Sequence, residues 1–317
     1  MPFTDIIGQE KPANLLREYI HQKRIASSYL FIGPEGVGKK MAAQCFAKAL
    51  NCEENNLDAC DKCISCLKID KGQHPDMHFI GSEDIIKIEE VRQLQREIAL
   101  RPYEGKFKVF IIDNAHNLTA DAANAILKVL EEPPAHSIII LVTAKPQKLF
   151  KTIISRCQVI RFNSVPRLEL KEILENKFSL SKANAHFLAY FSEGRIGLAL
   201  KLKDTDLLAE KDKIIDGFSK PRGIFAQDDT WQEKDEIRNY LNILAVLVRD
   251  IIINKTGLAN SEVINIDRID DLKRYADTYS FPDLERMLKA ISDSLLYLEQ
   301  NINTKLLLSN LNISLKG

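Results

Sequence analysis

A chain of 317 residues is longer than one compact core of the commonest size, so two or three domains are expected. Its 44 basic and 44 acidic residues balance, which excludes the global field that marks a whole chain as a nucleic-acid binder and leaves only a local patch for DNA. A hydrophobic fraction of 45% without low-complexity tracts excludes a largely disordered chain. The longest apolar helical stretch, Leu241 to Ile253, is broken by Arg249 and Asp250 and is too short for a bilayer. The polar, acidic start MPFTDIIGQE is no signal peptide, and the expected compartment is the cytoplasm.

The first strand-like run is SSYLFIG (27–33), followed by GPEGVGKK (33–40) and the helical pattern MAAQCFAKAL (41–50). Strand, glycine-rich loop and helix in this order are the setting of a phosphate loop, in which backbone N–H groups and the helix amino terminus cradle phosphate. Gly33, Gly38 and Lys39 fit the first part of that pattern. A magnesium-binding Ser or Thr should follow the lysine, and Lys40 stands there instead. A second ammonium offers three donors and no acceptor and repels a divalent cation. A glycine-rich turn that only connects strand to helix is the competing reading of this loop.

Four of the six cysteines follow: Cys52, Cys60, Cys63 and Cys66, with the spacing C-x7-C-x2-C-x2-C. In a reducing compartment such clustering favours metal over disulfides. Four thiolates around one tetrahedral zinc leave no open position for water, so the expected zinc is structural. His74 and His78 in GQHPDMHFI rank below the cysteines as ligands, because HPD reads as the lead-in to the second strand, MHFIG (77–81).

The third run, KVFIID (108–113), ends at Asp113, the position of an acidic group that holds magnesium through water. Asn114 follows, and an amide cannot take up a proton from attacking water as a carboxylate can. The helix ANAILKVLEEPP (123–134), the fourth run SIIILVT (137–143), the tripeptide SRC (155–157) and the fifth run QVIRF (158–162) complete an alternation of strands and helices, which predicts a parallel α/β sheet. From Pro166 onward no comparable strand run occurs. ELKEILENKF and ANAHFLAYFS read as short helices, DGFSKPRGIFAQDDT (216–230) as a loop or domain edge, and the last third as all helical. There Leu284, Leu288, Ile291, Leu295 and Leu298 recur along one face, and Leu241, Leu244, Leu247, Val248, Ile251 and Ile252 make a wide apolar face.

The phosphate loop, Asp113-Asn114, the EEPP helix end and SRC together resemble the bacterial clamp-loader family within DNA polymerase III, a branch of the AAA+ class. The resemblance implies a RecA-like AAA+ sheet with an inserted zinc module at about 50–70 in residues 1–163, a small helical lid in 164–206, and an all-helical collar in 207–317. Some members of that family hydrolyse ATP, whereas this chain is similar to the degenerate, non-hydrolysing kind. Thr143-Ala144-Lys145 at the sensor-1 segment and Gly197, near Arg195, at the sensor-2 position agree with it. The resemblance makes Arg156, with Ser155 and Cys157, an arginine finger for the nucleotide of an adjacent gamma subunit. It places Arg92, Lys128 and Lys148 towards DNA, and it implies gamma/tau and delta subunits, the sliding clamp and primed DNA as partners. Nucleotide binding by the chain itself is not expected. The alternatives are an active gamma/tau-like ATPase, which requires turnover despite Lys40 and Asn114, and a zinc-dependent nucleic-acid module, which explains neither SRC nor the helical lid.

Overall fold

A computed structural model describes residues 2–54, 57–81, 85–218, 234–257, 263–300 and 302–316. The loop expected at 216–230 lies, beyond residue 218, outside the described residues. Among the described residues no helix is long and apolar enough to cross a membrane.

The chain divides into two compact units, residues 1–165 with Arg195–Leu198, and residues 166–194 with 199–317. In chain order the first unit contains α1 (Glu10–His21), β1 (Ser28–Ile32), α2 (Lys39–Asn51), α3 (Ile64–Asp70), β2 (Met77–Ile80), α4 (Ile88–Ile98), β3 (Lys108–Ile112), α5 (Ala120–Glu131), β4 (Ser137–Thr143), α6 (Lys151–Ile154) and β5 (Gln158–Arg161). All five expected strands are present and pair in parallel in the order β2-β3-β4-β1-β5.

Successive strand side chains point to opposite faces, so a sheet covered on both sides needs apolar residues at consecutive positions. That is why the central strands β1, β3 and β4 read as nearly unbroken apolar runs, while the edge strands β2 and β5 are partly exposed and include His78, Gln158 and Arg161. On one face Tyr29, Phe31, Val109, Ile111, Ile138 and Ile140 pack with Leu16 of α1 and Ala42 and Phe46 of α2. On the other, Leu30, Phe110, Ile112, Ile139 and Leu141 pack with Val91, Leu94 and Ile98 of α4 and Ala122 and Ile126 of α5. Asn51 clamps the end of α2 to the start of β3, its Nδ2 donating to Phe107 O and its Oδ1 accepting from Phe107 N–H, both at 2.9 Å. The phosphate loop and the residue after β3 are thereby mounted on one rigid frame.

The second unit is helical among its described residues: α7 (Arg167–Phe178), α8 (Lys182–Phe191), the remainder of α9 (Ile196–Lys203), α10 (Leu207–Gly217), α11 (Lys234–Lys255), α12 (Ile269–Thr278), α13 (Phe281–Glu299) and α14 (Thr304–Lys316). Residues on the two sides of position 206 are joined within it. His186 Nε2 donates to Val263 O at 3.0 Å, and the buried Lys211 ammonium lies over the Phe187 ring and 2.6 Å from Asp267.

Two patterns differ in detail from the sequence reading. The α13 face buries Leu284, Met287, Ile291, Ser294 and Leu298 and leaves Leu288 and Leu295 half-buried. In α11, Asp250 is no solvent-facing interruption: it is fully buried and accepts from Ile264 N–H, Asn265 N–H and Asn265 Nδ2 at 2.8–3.1 Å.

Candidate functional site

Gly33 leaves β1 at φ +152°, where an added Cβ would lie 2.2 Å from Phe162 O, and Gly38 caps α2 in the left-handed region at φ +95°. Only glycine takes both positions without strain. Lys39 is buried, and its Nζ folds back onto the loop, donating to Gly33 O at 2.7 Å and Pro34 O at 2.5 Å. Burial pushes its pKa down to about 8, against the opposing pull of Glu35 and Asp113.

Lys40 extends from the first turn of α2 to Asp113 at the end of β3, with Nζ 3.3 Å from Oδ2. The Asn114 N–H donates to Oδ1 of the same carboxylate at 3.0 Å, with Asn114 itself in the left-handed region at φ +49°. Asp113 therefore faces an ammonium on one oxygen and a backbone donor on the other. The space between the loop and the strand-end carboxylate is spanned here by the Lys40 side chain.

Thr143 Oγ1 accepts from Lys145 N–H at 3.0 Å and pairs with His116 Nδ1 at 3.1 Å. Burial, then Lys145, pushes the His116 pKa down, so the ring is neutral near pH 7. The Gly197 N–H donates to Gly36 O at 2.7 Å, and a Cβ at Gly197 would come within 2.8 Å of that oxygen. A side chain at position 197 thus requires the phosphate loop to shift. Lys39 folds back onto Gly33 and Lys40 reaches Asp113, while His116 was missed because no spacing rule links it to Thr143.

Ser155 and Arg156 follow α6 on an exposed turn that leads into β5. Ser155 Oγ donates to Thr152 O at 3.1 Å. The Arg156 guanidinium donates from Nη1 to Thr152 O at 3.0 Å and from Nη2 to Glu131 Oε1, at the end of α5, at 2.7 Å. Cys157 is half-buried against the α4–α5 side of the core, and burial pushes its thiol up to about 12, which suits packing and not nucleophilic chemistry. Arg92 on α4, Lys128 on α5 and Lys148 after β4 are all exposed, and α4 and α5 are tied by a 2.8 Å bond from Gln95 Nε2 to Ala125 O.

The Sγ atoms of Cys52, Cys60, Cys63 and Cys66 all lie within 4.8 Å of one another. A tetrahedral site with metal–sulfur bonds of about 2.3 Å needs sulfurs roughly 3.8 Å apart, so the cluster is near the right size for one ion. Cys60 and Cys66 are 3.9 Å apart, and the N–H groups of Cys63 and Cys66 point at Cys60 Sγ and Cys63 Sγ at 3.3 and 3.4 Å, the local donors that stabilise thiolates. The backbone N–H groups of Lys62 and Cys63 hold the Cys60 thiol down to about 7, whereas burial pushes Cys66 up.

Neither histidine joins the sulfurs. Asp76 N–H donates to His74 Nδ1 at 3.2 Å, so Nε2 carries the hydrogen and faces Ser65 Oγ at 3.2 Å. His78 stacks on Phe110 with 4.5 Å between ring centroids. The module is bolted to the sheet unit by Lys48, buried in α2, which pairs with Asp61 and, at 2.5 Å, with Asp70. Asp58 adds a second tie, accepting from Phe3 N–H at 2.9 Å and Arg17 Nη2 at 2.9 Å. Both ties escaped the sequence reading.

Sheet order, phosphate loop and strand-end acid define an AAA+ module, here carrying a thiol cluster and an SRC turn and followed by helices. A family profile described as "DNA polymerase III, delta subunit" matches residues 8–166, and another, "DNA polymerase III, delta subunit, C terminal", matches residues 214–316. The chain belongs to this DNA polymerase III clamp-loader family. Subunit delta' of DNA polymerase III from Bacillus subtilis (strain 168) is 30% identical over 97% of this chain and 96% of its own length. The tau subunits of Bacillus subtilis (strain 168) and Escherichia coli (strain K12) are 35% and 37% identical over 67% and 64% of this chain, which spans only 40% and 32% of their lengths. Among solved structures, a gamma subunit-related protein of DNA polymerase III from Thermotoga maritima matches with TM-score 0.43 and 19% identity, covering 96% of this chain and 98% of that one.

Proposed function

We propose that this chain is the non-hydrolysing, delta'-type subunit of a clamp-loader ring that places a sliding clamp on primed DNA. It acts beside gamma/tau and delta subunits and offers Arg156 to the nucleotide of the adjacent motor subunit. The reading rests on the Lys40–Asp113 pair, 3.3 Å apart, which sets a side-chain cation where hydrolysis requires a metal. Asn114 and the contact of Gly197 with the loop carbonyl of Gly36 support it, because they remove a water-polarising carboxylate and leave no room for a side chain at position 197. Residues 164–206 then serve as the lid and 207–317 as the collar that joins the ring. Arg92, Lys128 and Lys148 would meet DNA phosphates without reading sequence. The thiol cluster would hold one structural zinc.

The expected result is that the purified chain alone hydrolyses no ATP in a steady-state assay, and that tagged protein brings gamma/tau, delta and clamp with it on purification. Turnover of about one per second that disappears in a Lys39→Ala variant would instead mark an active ATPase.

A further inference from the structure

Arg156 does not hang freely from its turn. Its two terminal nitrogens are each held by a separate acceptor on this chain, Thr152 O from α6 at 3.0 Å and Glu131 Oε1 from the last residue of α5 at 2.7 Å. Both acceptors stand on anchored backbone. Val129 and Leu130 bury the end of α5, and Ile153 buries α6, in the same core cluster. A guanidinium has five N–H donors in a planar fork, so these two bonds set its plane and leave three donors for another acceptor.

Glu131 is badly placed for any local purpose. A carboxylate in the last turn of a helix faces the negative end of the helix dipole, and Glu132 beside it adds like charge. The ion pair is also too exposed, at 35% and 50% of the two side chains, to hold the fold together. What it does constrain is the direction of a long side chain with many rotamers. We infer that Glu131 is the positioning residue of Arg156: it fixes the guanidinium plane so that its remaining donors are presented across the subunit interface. The inference rests on the proposed role of Arg156 in trans. Glu131 itself touches no nucleotide.

The test uses reconstituted loader containing wild-type chain, Glu131→Ala, Glu131→Gln, Arg156→Ala, or Glu131→Ala combined with Arg156→Ala, all at equal assembly. The turnover that Arg156 supports is the difference in DNA-dependent kcat between wild-type and Arg156→Ala complexes. Glu131→Ala should lower that difference about fivefold, the change expected from one exposed ion pair, with KM for ATP unchanged. Glu131→Gln, which keeps length and one acceptor oxygen, should fall between alanine and wild type. The double variant should be no slower than Arg156→Ala, because an aiming residue has nothing left to aim. Glu131→Ala turnover equal to or above wild type overturns the inference, as does a double variant slower than Arg156→Ala, which would mark a structural role. If Arg156→Ala itself matches wild type, the reading of Arg156 fails and takes the inference with it.

Discussion

With Arg156 acting in trans as proposed, its exchange for alanine is expected to leave the chain folded and assembled while slowing hydrolysis about a thousandfold at the neighbouring site. The fold survives because the guanidinium is on the surface, and its bonds to Thr152 O and Glu131 are exposed ones. The expected catalytic loss is large because a planar cation can spread two or more donors over oxygens whose charge grows as a phosphoryl group transfers. Total ATP hydrolysis by the complex is expected to fall only in part, since on the proposed reading Arg156 serves a single neighbouring site. DNA-dependent ATPase and clamp-loading assays on reconstituted complex measure it. Arg156→Lys separates charge from shape, because an ammonium keeps the charge and loses the fork, and most of the loss should persist. Equal activity of Arg156→Ala and wild type in both assays, at equal assembly, would reduce Arg156 to a surface residue of the β5 approach.

What could be read from the sequence has a common physical origin. The central strands β1, β3 and β4 announce themselves because they are buried along both faces and are apolar at nearly every position, whereas the edge strands β2 and β5 are partly exposed and carry His78, Gln158 and Arg161. Lys40 and Asn114 are equally legible, since their departures occur inside a motif whose neighbours fix the register. The sulfur positions follow from spacing because a short loop lets few geometries form. The residues that were missed act in pairs across the chain: Glu131 with Arg156, His116 with Thr143, Lys48 with Asp61 and Asp70, Asp250 with Asn265. Each is a polar residue that looks solvated by type, and only the fold supplies the partner that makes its burial or orientation affordable. The α13 face keeps the expected seven-residue repeat through Leu284, Ile291 and Leu298, but Met287 and Ser294 take the intermediate inner positions that Leu288 and Leu295 were expected to hold, because apolar type alone does not decide which side of the shared stripe faces the core.

Removal of metal from the thiol cluster is expected to unfold residues 57–70 locally and leave the parallel sheet standing. The module has almost no core of its own: its buried cluster is Cys52, Ala59 and Cys66, flanked by Cys60 and Cys63. So few apolar groups cannot offset the cost of ordering the segment, about 1–2 kcal/mol per residue in backbone entropy alone. On the proposed reading metal–thiolate bonds supply the difference, and structural zinc in comparably small modules contributes apparent binding energies of about 10–16 kcal/mol. The sheet is insulated because neither of its two core clusters includes a cysteine of the module. The effect should still reach α2, since Lys48 loses Asp61 and Asp70, and the amino-terminal segment, since Phe3 N–H and Arg17 lose Asp58. Elemental analysis of protein purified without chelator should return one zinc per chain. After chelation, hydrogen exchange should accelerate in 57–70 and around Lys48 while β1, β3 and β4 keep their protection, and Cys66→Ser should reproduce the pattern without chelator. Protein that carries no metal, has all four thiols freely titratable and yet protects residues 57–70 would show that hydrogen bonds and the two aspartate ties hold the module unaided.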